Sequence, residues 1–361
     1  MKHHRATIVA IAFATALLTT ACKQREKREK APFGNGDVVM TFSNDIVNRF
    51  TPVKNQGQGG TCWIHAMLST IETDRIMQGD SVNLSAAFVV RRMLEEQYRR
   101  HVLTAGASPV ADRGTAVDAL RLIGAYGLVP FDSYTTSPDP CSPLPATGVL
   151  ARKTRMIAEK AINGRMAPEK YERLLSSMLD ESLGDLPLHV FMLGAEYTPQ
   201  EFARSVCRSG DYVALTSFTH HPFGEYVDLE LPDNVRHNLF YNIRMEKMTD
   251  MVRKAVKAGR GVCWEGDISE PGFSFRKGMA TLPPGAEKPT QELRQKAFYS
   301  RATTDDHCMA IVGLAHDADG RRYFIMKNSW GKDNPYRGLM YMSEDYFMMK
   351  TIAVVIRQPG P

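Results

Sequence analysis

The sequence lacks the features that would indicate a nucleic-acid-binding protein or a zinc protein. Its 361 residues carry 45 basic and 40 acidic side chains, but seven of the basic and two of the acidic residues lie within residues 1–30. Residues 31–361 therefore hold 38 of each and are formally neutral, so no overall field attracts a nucleic acid. None of the six cysteines belongs to a C-x-x-C pair, which argues against a zinc site. We predict neither a metal nor a cofactor.

An apolar segment long enough to span a bilayer is also lacking near the N-terminus. The apolar run over residues 8–18 is too short to cross one comfortably. It follows the basic residues Lys2 and Arg5, as the apolar part of a secretory leader does. We therefore predict a signal peptide over residues 1–21, with a buried first helix as the alternative interpretation.

Small residues follow this run and lead to a cysteine. Together, Thr19, Thr20, Ala21 and Cys22 resemble the lipobox of bacterial lipoproteins, in which cleavage leaves the cysteine lipid-modified as the new N-terminus. The resemblance implies a lipid anchor on Cys22 and a solvated tether over residues 22–44. It also implies a place in the bacterial cell envelope, facing the periplasm or the outer surface. Plain secretion is the alternative.

Cysteines in an exported chain raise the expectation of disulfides. Setting Cys22 aside for lipid and Cys62 for chemistry leaves four cysteines, which permit three pairings. Their wide spacing selects none of these pairings. The four are Cys141, Cys207, Cys263 and Cys308.

Hydrophobic periodicity predicts helices in the first part of the chain and strands in the last part. Apolar residues recur at helical spacing over residues 62–78, so the first helix begins at Cys62. Further helices are predicted over residues 84–102, 115–126, 152–163, 168–183, 198–208 and 245–257, and strands over residues 261–264, 309–316, 322–327, 338–342 and 352–357. This order indicates an α+β fold with a helical subdomain over residues 45–260 and a β-rich subdomain over residues 261–361.

A cysteine at the start of a helix is chemically informative. The aligned peptide dipoles and free N–H groups at that end favour a thiolate, which is the reactive form of cysteine. Cys62 follows a turn-forming run over residues 56–61 that contains three glycines, where a substrate can approach the backbone closely. Taken alone, a buried structural cysteine is an equally good interpretation.

Two later positions favour catalysis. His307 directly precedes an apolar strand, whose end can present an imidazole at a cleft, and Asn328 ends a second strand. A neutral amide beside a histidine fixes the orientation and tautomer of the ring, and Trp330 can screen that hydrogen bond from water. Each residue alone would more often be structural.

Taken together, Gln56, Cys62 with the following tryptophan, His307 and the Asn-Ser-Trp-Gly run from Asn328 resemble the papain family of cysteine peptidases. The resemblance implies that Cys62 attacks the peptide carbonyl and that His307 holds the thiolate and protonates the leaving amine. It also implies that Asn328 holds His307. Gln56 and the backbone N–H of Cys62 would form the oxyanion hole.

The spacing of these residues indicates a branch of that family. Asn328 lies 266 residues beyond Cys62 and His307 lies 245 beyond it, whereas papain and the cathepsins have roughly 130–150. A large helical insertion must fill the difference, and no room remains for a long inhibitory propeptide. Both departures resemble the bleomycin hydrolase and aminopeptidase C branch, which implies a papain-like fold with a helical subdomain and a β-barrel-like one. It also implies a possible homo-oligomer, a hexamer in that branch.

Several positions depart from the family pattern. His65 stands where a small or aromatic residue is usual, and we predict that it packs or hydrogen-bonds rather than acting as a second base. Ala86 replaces a familiar glutamate, and Arg113 precedes Gly114 where a pair of glycines often lines the cleft. We predict that Gly114 and Trp330 contact the substrate.

Two other polar pairs are weaker candidates. His220 and His221 are adjacent in a loop, where neighbouring side chains rarely chelate one ion, so we predict a structural role. Asp305 and Asp306 resemble an acidic dyad, but they more simply solvate the loop or favour the charged form of His307.

The residues and the resemblance together predict a cysteine aminopeptidase that acts on peptides. In the implied branch, the C-terminal carboxylate lies in the cleft and meets the amine of the substrate. The corresponding tail here is residues 356–361, and its sequence differs from the expected one. An endopeptidase of the same fold is one alternative, and a lipid-anchored binding module without catalysis is the alternative from another class.

Overall fold

The computed structural model describes residues 40–164, 166–192, 194–208 and 210–358. The predicted signal peptide, the predicted lipidation site Cys22 and most of the predicted tether lie outside these ranges. Among the described residues, no helix is both long enough and apolar enough to cross a membrane.

Most helices begin at a side chain that accepts a hydrogen bond from the first turn. The hydroxyl of Ser85 accepts from the N–H of Phe88, and Thr115 and Thr198 each form a reciprocal capping box. Within the described ranges the helices are α1 Cys62–Met77, α2 Ala86–Leu103, α3 Ala116–Tyr126, α4 Thr147–Asn163, α5 Pro168–Leu183, α6 Pro199–Val206, α7 Met245–Lys257, α8 Gln291–Tyr299 and α9 Glu344–Lys350.

A single large sheet contains most of the strands. Its order is β5-β6-β4-β13-β7-β10-β11-β12-β9-β8, with β1 paired to β10, while β2 and β3 form a separate hairpin. The strands are β1 Ser43–Val47, β2 Val190–Met192, β3 Ala195–Tyr197, β4 Tyr212–Thr216, β5 Tyr226–Asp228, β6 Leu239–Asn242, β7 Val262–Gly266, β8 Phe273–Ser274, β9 Met279–Ala280, β10 His307–His316, β11 Arg322–Lys327, β12 Leu339–Ser343 and β13 Thr351–Arg357.

This architecture confirms the predicted α+β class. Over the described residues the path of the large sheet does not close on itself, so the β-rich part is an open sheet rather than a barrel. Strands β4, β5 and β6 precede residue 261 and still belong to this sheet. The predicted boundary between residues 260 and 261 therefore runs through the sheet.

Helix α1 is the central element of the core. It packs on β10 and β7, and every residue from Cys62 to Asp74 is buried. The side chains of Trp63, Ile64 and Met67 are at most 2% exposed, and burying each contributes about 1.5–3 kcal/mol. This packing holds the first residue of α1 against the beginning of β10.

Candidate active site

The nucleophile position lies at an uncapped helix end. Cys62 is the first residue of α1, the side chain of Thr61 makes no capping hydrogen bond, and the first turn contains no acidic residue. Cys62 is 9% exposed. The first turn of the helix therefore adds no carboxylate of its own beside Cys62, and the positive end of the helix favours a thiolate at this position.

The loop before Cys62 depends on its glycines. Gly57 has a φ of +67°, and a Cβ there would lie 2.3 Å from the carbonyl oxygen of Leu144. The N–H of Gly60 donates to Asp112 Oδ2 at 2.7 Å. Only glycine adopts this backbone angle without strain and also leaves room for the carbonyl oxygen of Leu144. Glycine at residue 57 therefore lets the loop keep the path to the thiol open.

The imidazole of His307 is oriented by Asn328. Its Nε2 lies 2.8 Å from Asn328 Oδ1. The backbone N–H of Ser329 also donates to that oxygen at 2.8 Å, which identifies it as the acceptor. The ring nitrogen Nε2 therefore carries the hydrogen, and Nδ1 is left to exchange a proton with Cys62. Trp330 lies over the imidazole, with ring centroids 4.6 Å apart.

The structure brings Cys62 and His307 into hydrogen-bonding contact, and Cys308 joins them. The pKa of Cys62 is well below the ordinary thiol value. The hydrogen bond from the Cys308 thiol is the largest influence, burial opposes it, and the hydrogen bond and positive charge of His307 lower the pKa further. A thiolate and imidazolium pair is the state that this arrangement favours.

Gln56 lies between the cysteine loop and the asparagine segment. Its Oε1 accepts from the hydroxyl of Ser329 at 2.6 Å, and its Nε2 donates to the carbonyl oxygen of Gly59 at 2.7 Å. A side-chain amide has two N–H hydrogens, so one remains for an oxyanion. The backbone N–H of Cys62 lies in the first turn of α1, where amides have no intrahelical acceptor.

The predicted substrate contacts lie around this cluster. A Cβ added to Gly114 would lie 3.0 Å from the ring of Trp63, so a larger residue there would press on the cysteine helix. Arg113 pairs with Asp233 and donates to the backbone carbonyl of Asp305 at 2.8 Å. Arg113 therefore ties two loops together next to Gly114.

His65 has the structural role that the sequence predicts. It is buried, and its Nδ1 lies 3.0 Å from the carbonyl oxygen of Thr61. Burial lowers the pKa of His65 to about 4. The ring is thus neutral near pH 7 and supports the first turn of α1.

A pair of carboxyl groups lies near the thiol and was not recognised as a pair from the sequence. Burial, and then the charge of Asp305, raises the pKa of Glu265 well above its usual range. Burial also raises the pKa of Asp305 to about 7, and the two side chains hydrogen-bond to each other. The pair therefore carries less negative charge near pH 7 than two exposed carboxyl groups would. Glu265 lies within the apolar strand β7, where the pattern gives no sign of this partner.

Below the catalytic residues lies a buried ionic cluster, which sequence reasoning missed. Lys54 Nζ lies 2.5 Å from Glu72 Oε1, and the hydroxyl of Thr51 also bonds Glu72. Lys327 Nζ donates to Thr51 at 2.8 Å. Burial lowers the pKa of Lys327 to about 7, against the favourable charge of Glu72. The cluster connects α1 to the end of β11, where Asn328 follows.

His220, His221 and Glu230 are close enough to ligate one cation. However, Gln295 Oε1 accepts a hydrogen bond from the backbone N–H of Thr219 at 2.5 Å. The other amide atom of Gln295, Nε2, is therefore the one that lies 2.9 Å from His220 Nδ1. His220 Nδ1 is then an acceptor, and its Nε2 carries the hydrogen that points at Glu230, 3.0 Å away. A metal bound at Nε2 would require the opposite tautomer. The contacts therefore favour a hydrogen-bonded loop.

The cysteines of the described ranges are all reduced. Cys62, Cys141, Cys207, Cys263 and Cys308 each have a free thiol. None of the possible disulfides among Cys141, Cys207, Cys263 and Cys308 is present. Instead, Cys308 contacts the nucleophile, which the spacing could not indicate.

Comparison with known proteins identifies a matching family and several similar proteins. Residues 190–359 match the Peptidase C1-like family. Aminopeptidase W of Lactobacillus delbrueckii subsp. lactis is 24% identical, over 85% of this chain and 80% of the relative. Aminopeptidase G of the same organism is 22% identical, over 90% of this chain and 84% of the relative. Cysteine proteinase 1, mitochondrial, of Saccharomyces cerevisiae is 23% identical, over 87% of this chain and 76% of the relative.

A solved structure has the same fold over nearly the whole chain. PepW from Lactobacillus rhamnosis HN001 superposes with a TM-score of 0.66 and 19% identity. The superposition covers 96% of this chain and 89% of that one. At this identity the similarity establishes a shared architecture.

Proposed function

Because the chain belongs to the papain-like cysteine peptidases, in their bleomycin hydrolase and aminopeptidase C branch, we propose that it is an aminopeptidase. It removes N-terminal residues from peptides through a thioester on Cys62. The observation that carries this proposal is the contact of Cys62 with His307, which Asn328 in turn orients.

The geometry supports a two-step reaction. The Cys62 thiolate attacks the peptide carbonyl, and the negative oxygen accepts hydrogen bonds from the Cys62 N–H and the free Gln56 amide hydrogen. His307 then donates its Nδ1 proton to the leaving amine, the C–N bond breaks, and a thioester remains. In the second step His307 takes a proton from water, hydroxide attacks the thioester, and the thiolate leaves.

Selection of the N-terminus needs a group that recognises an ammonium. Strand β13 runs antiparallel to β7, so that Thr351 lies opposite Gly266 and Ile356 lies opposite Val262. Gly266 also lies opposite His307 on β10, which places the start of β13 near the site. The end of β13 thus runs away from the site, and the N–H of Gln358 donates to the carbonyl oxygen of Asp211. The described part of the tail does not lie in the cleft.

The carboxyl pair of Glu265 and Asp305 is a better candidate for that anchor. The charge of Cys62 is among the influences that raise the pKa of both residues, so both are near the thiol. When the pair is ionised, its negative charge would attract the ammonium of a peptide. The direction of the tail, in contrast, favours an endopeptidase as the second candidate function.

Matched substrates separate these two functions. We expect a fluorogenic peptide with a free amine to be cleaved roughly 10- to 100-fold faster than its N-acetylated form, since a charge-assisted hydrogen bond contributes about 1.5–3 kcal/mol. Mass spectrometry of a longer unlabelled peptide should show loss of residues from the N-terminus. Equal rates on both substrates, with internal fragments, would identify an endopeptidase. The C62S variant gives the background rate.

The place of the protein in the cell is a further part of the proposal. We propose that Cys22 carries a lipid that anchors the protein to a membrane of the bacterial cell envelope, and that copies assemble as in the branch, where hexamers occur. The support is the leader pattern of residues 1–22 and the family resemblance. Incorporation of a labelled fatty acid, lost in C22A, tests the anchor, and sedimentation of the purified protein tests the assembly.

A further inference from the structure

A second thiol lies beside the nucleophile. Cys308 directly follows His307 on β10 and is 2% exposed. Cys62 and Cys308 belong to one buried core cluster, formed where α1 packs on β10, and the side chain and backbone of Cys308 lie within hydrogen-bonding reach of the Cys62 sulfur. Two sulfur atoms thus meet in a site whose peptidase reaction uses one of them.

The two sulfurs differ in their protonation. Burial, followed by the hydrogen bond to Cys62, raises the pKa of Cys308 well above the usual thiol range, whereas the pKa of Cys62 is lowered. Cys62 is thus the reactive thiolate and Cys308 the neutral thiol that donates to it. This pairing of a low-pKa thiol with an adjacent resolving thiol is typical of cysteines that oxidise reversibly.

We propose that Cys62 and Cys308 form a reversible disulfide that inactivates the enzyme when it meets a peroxide. The Cys62 thiolate attacks one oxygen of hydrogen peroxide, the O–O bond breaks, and a sulfenic acid and hydroxide result. The sulfur of Cys308 then attacks the sulfenic sulfur, the S–O bond breaks, and hydroxide leaves as water with the thiol proton. In total, two thiols and one peroxide give one disulfide and two waters.

The surroundings assist the second step. Once Cys62 is a sulfenic acid, it no longer carries the negative charge that helps to keep Cys308 protonated. The imidazolium of His307 protonates the hydroxide that leaves in the first step, and the neutral ring can then pass the proton of Cys308 to the hydroxide that leaves in the second step. The disulfide would also keep Cys62 from oxidising further to a sulfinic acid, which thiols do not reduce.

The other described cysteines lack this position. Cys207 has its pKa raised to about 12 by burial, and Cys141 donates to the carbonyl oxygen of Val53. Cys263 is as buried as Cys308 and lies on the neighbouring strand β7. It is therefore the matched control, because its removal leaves both members of the proposed bridge in place.

The test treats the full-length wild type, C308A, C308S and C263A with hydrogen peroxide and then with dithiothreitol. Activity is normalised to the starting value of each protein, and intact mass and tryptic peptides are measured at each stage. The wild type and C263A should lose two hydrogens, give a linked peptide that contains Cys62 and Cys308, and regain nearly all activity. C308A and C308S should gain two oxygens at Cys62 and regain less than about a tenth.

C308S keeps a donor beside Cys62 and cannot form the bridge, so it separates the redox role from the hydrogen bond. Melting curves recorded before treatment verify that each variant is folded. If the wild type gives no linked peptide, or if C308S regains its activity as fully as the wild type, the proposal is wrong. The linked peptide is detected without a substrate, so its absence is distinguishable from a failure of the proposed peptidase function.

Discussion

Replacement of Cys62 by serine is expected to lower kcat/KM by about 10⁴-fold or more, the range seen when a covalent nucleophile is removed. A serine hydroxyl stays protonated at neutral pH, so the hydrogen bonds from His307 and Cys308 have no thiolate to stabilise. Hydrolysis of a fluorogenic peptide by the purified variant measures the loss. The substitution replaces one side-chain atom by a smaller one without changing the branching, so the melting temperature should change little.

Gln56→Ala provides a graded control for this result. It removes one proposed oxyanion donor and leaves Cys62 intact, and such a loss typically costs about 3–4 kcal/mol of transition-state stabilisation. The expected decrease in kcat is therefore smaller than for C62S and larger than for a distant surface change. A C62S protein that retains substantial peptidase activity would refute the assignment of the nucleophile.

Glu72→Ala is expected to lower the free energy of unfolding by about 3–5 kcal/mol, the cost of breaking a buried ion pair by removing one partner. Glu72 is 1% exposed and accepts hydrogen bonds from Lys54, Thr51 and the backbone N–H of Leu84. Without it, two buried ammonium groups, those of Lys54 and Lys327, remain without a counter-charge. Urea unfolding monitored by tryptophan fluorescence measures the change.

The free energy of unfolding should depend on pH in a defined direction. The pKa of Lys327 is lowered by burial to about 7, below the ordinary value of a lysine in the unfolded chain. Between these two values the unfolded state binds more protons, so unfolding free energy rises with pH above about 7. In E72A this rise should begin at a lower pH, because the charge of Glu72 no longer raises the pKa of Lys327.

Lys327→Met is the matched control for E72A. It removes one of the two positive charges, so the double variant E72A/K327M should recover part of the stability that E72A loses. A loss below about 1 kcal/mol in E72A, with no recovery in the double variant, would show that the cluster contributes little.

Several elements could be predicted from the spacing of their apolar residues and from the residues that end them. The predicted helices over residues 168–183 and 245–257 match α5 and α7 at both ends, and the strand over residues 322–327 matches β11. The first helix begins at Cys62 as predicted. Helices α5 and α7 bury one face only, so in them the local pattern and the tertiary packing agree.

Other elements were missed for identifiable reasons. Helix α8 Gln291–Tyr299 buries polar side chains: Gln291 and Arg294 bond the backbone carbonyl of Ser217, so no apolar stripe marks it. Strands β4, β5 and β6 are short and lie between helical segments. Their assignment to the large sheet depends on pairing with β13, which only the tertiary structure provides.

The candidate site likewise contains residues that the sequence predicted and contacts that it did not predict. The resemblance assembled Cys62, His307 and Asn328 from motifs, and the structure places these side chains together. The contact of Cys308 with Cys62 depends on the packing of α1 on β10, and the contact of Glu265 with Asp305 depends on the register between β7 and β10. Register across a sheet cannot be read from one strand, so sequence reasoning could not find these pairs.

The central claim is that Cys62 is a thiolate held by His307 at the positive end of α1. The most direct measurement is the rate of Cys62 alkylation by iodoacetamide as a function of pH, followed by mass spectrometry of the Cys62 peptide. We expect fast alkylation that persists at about pH 6, well below the ordinary cysteine pKa of about 8.5, and slower alkylation at that pH in H307A. A rate that matches free cysteine and rises only near pH 8.5 would contradict the account.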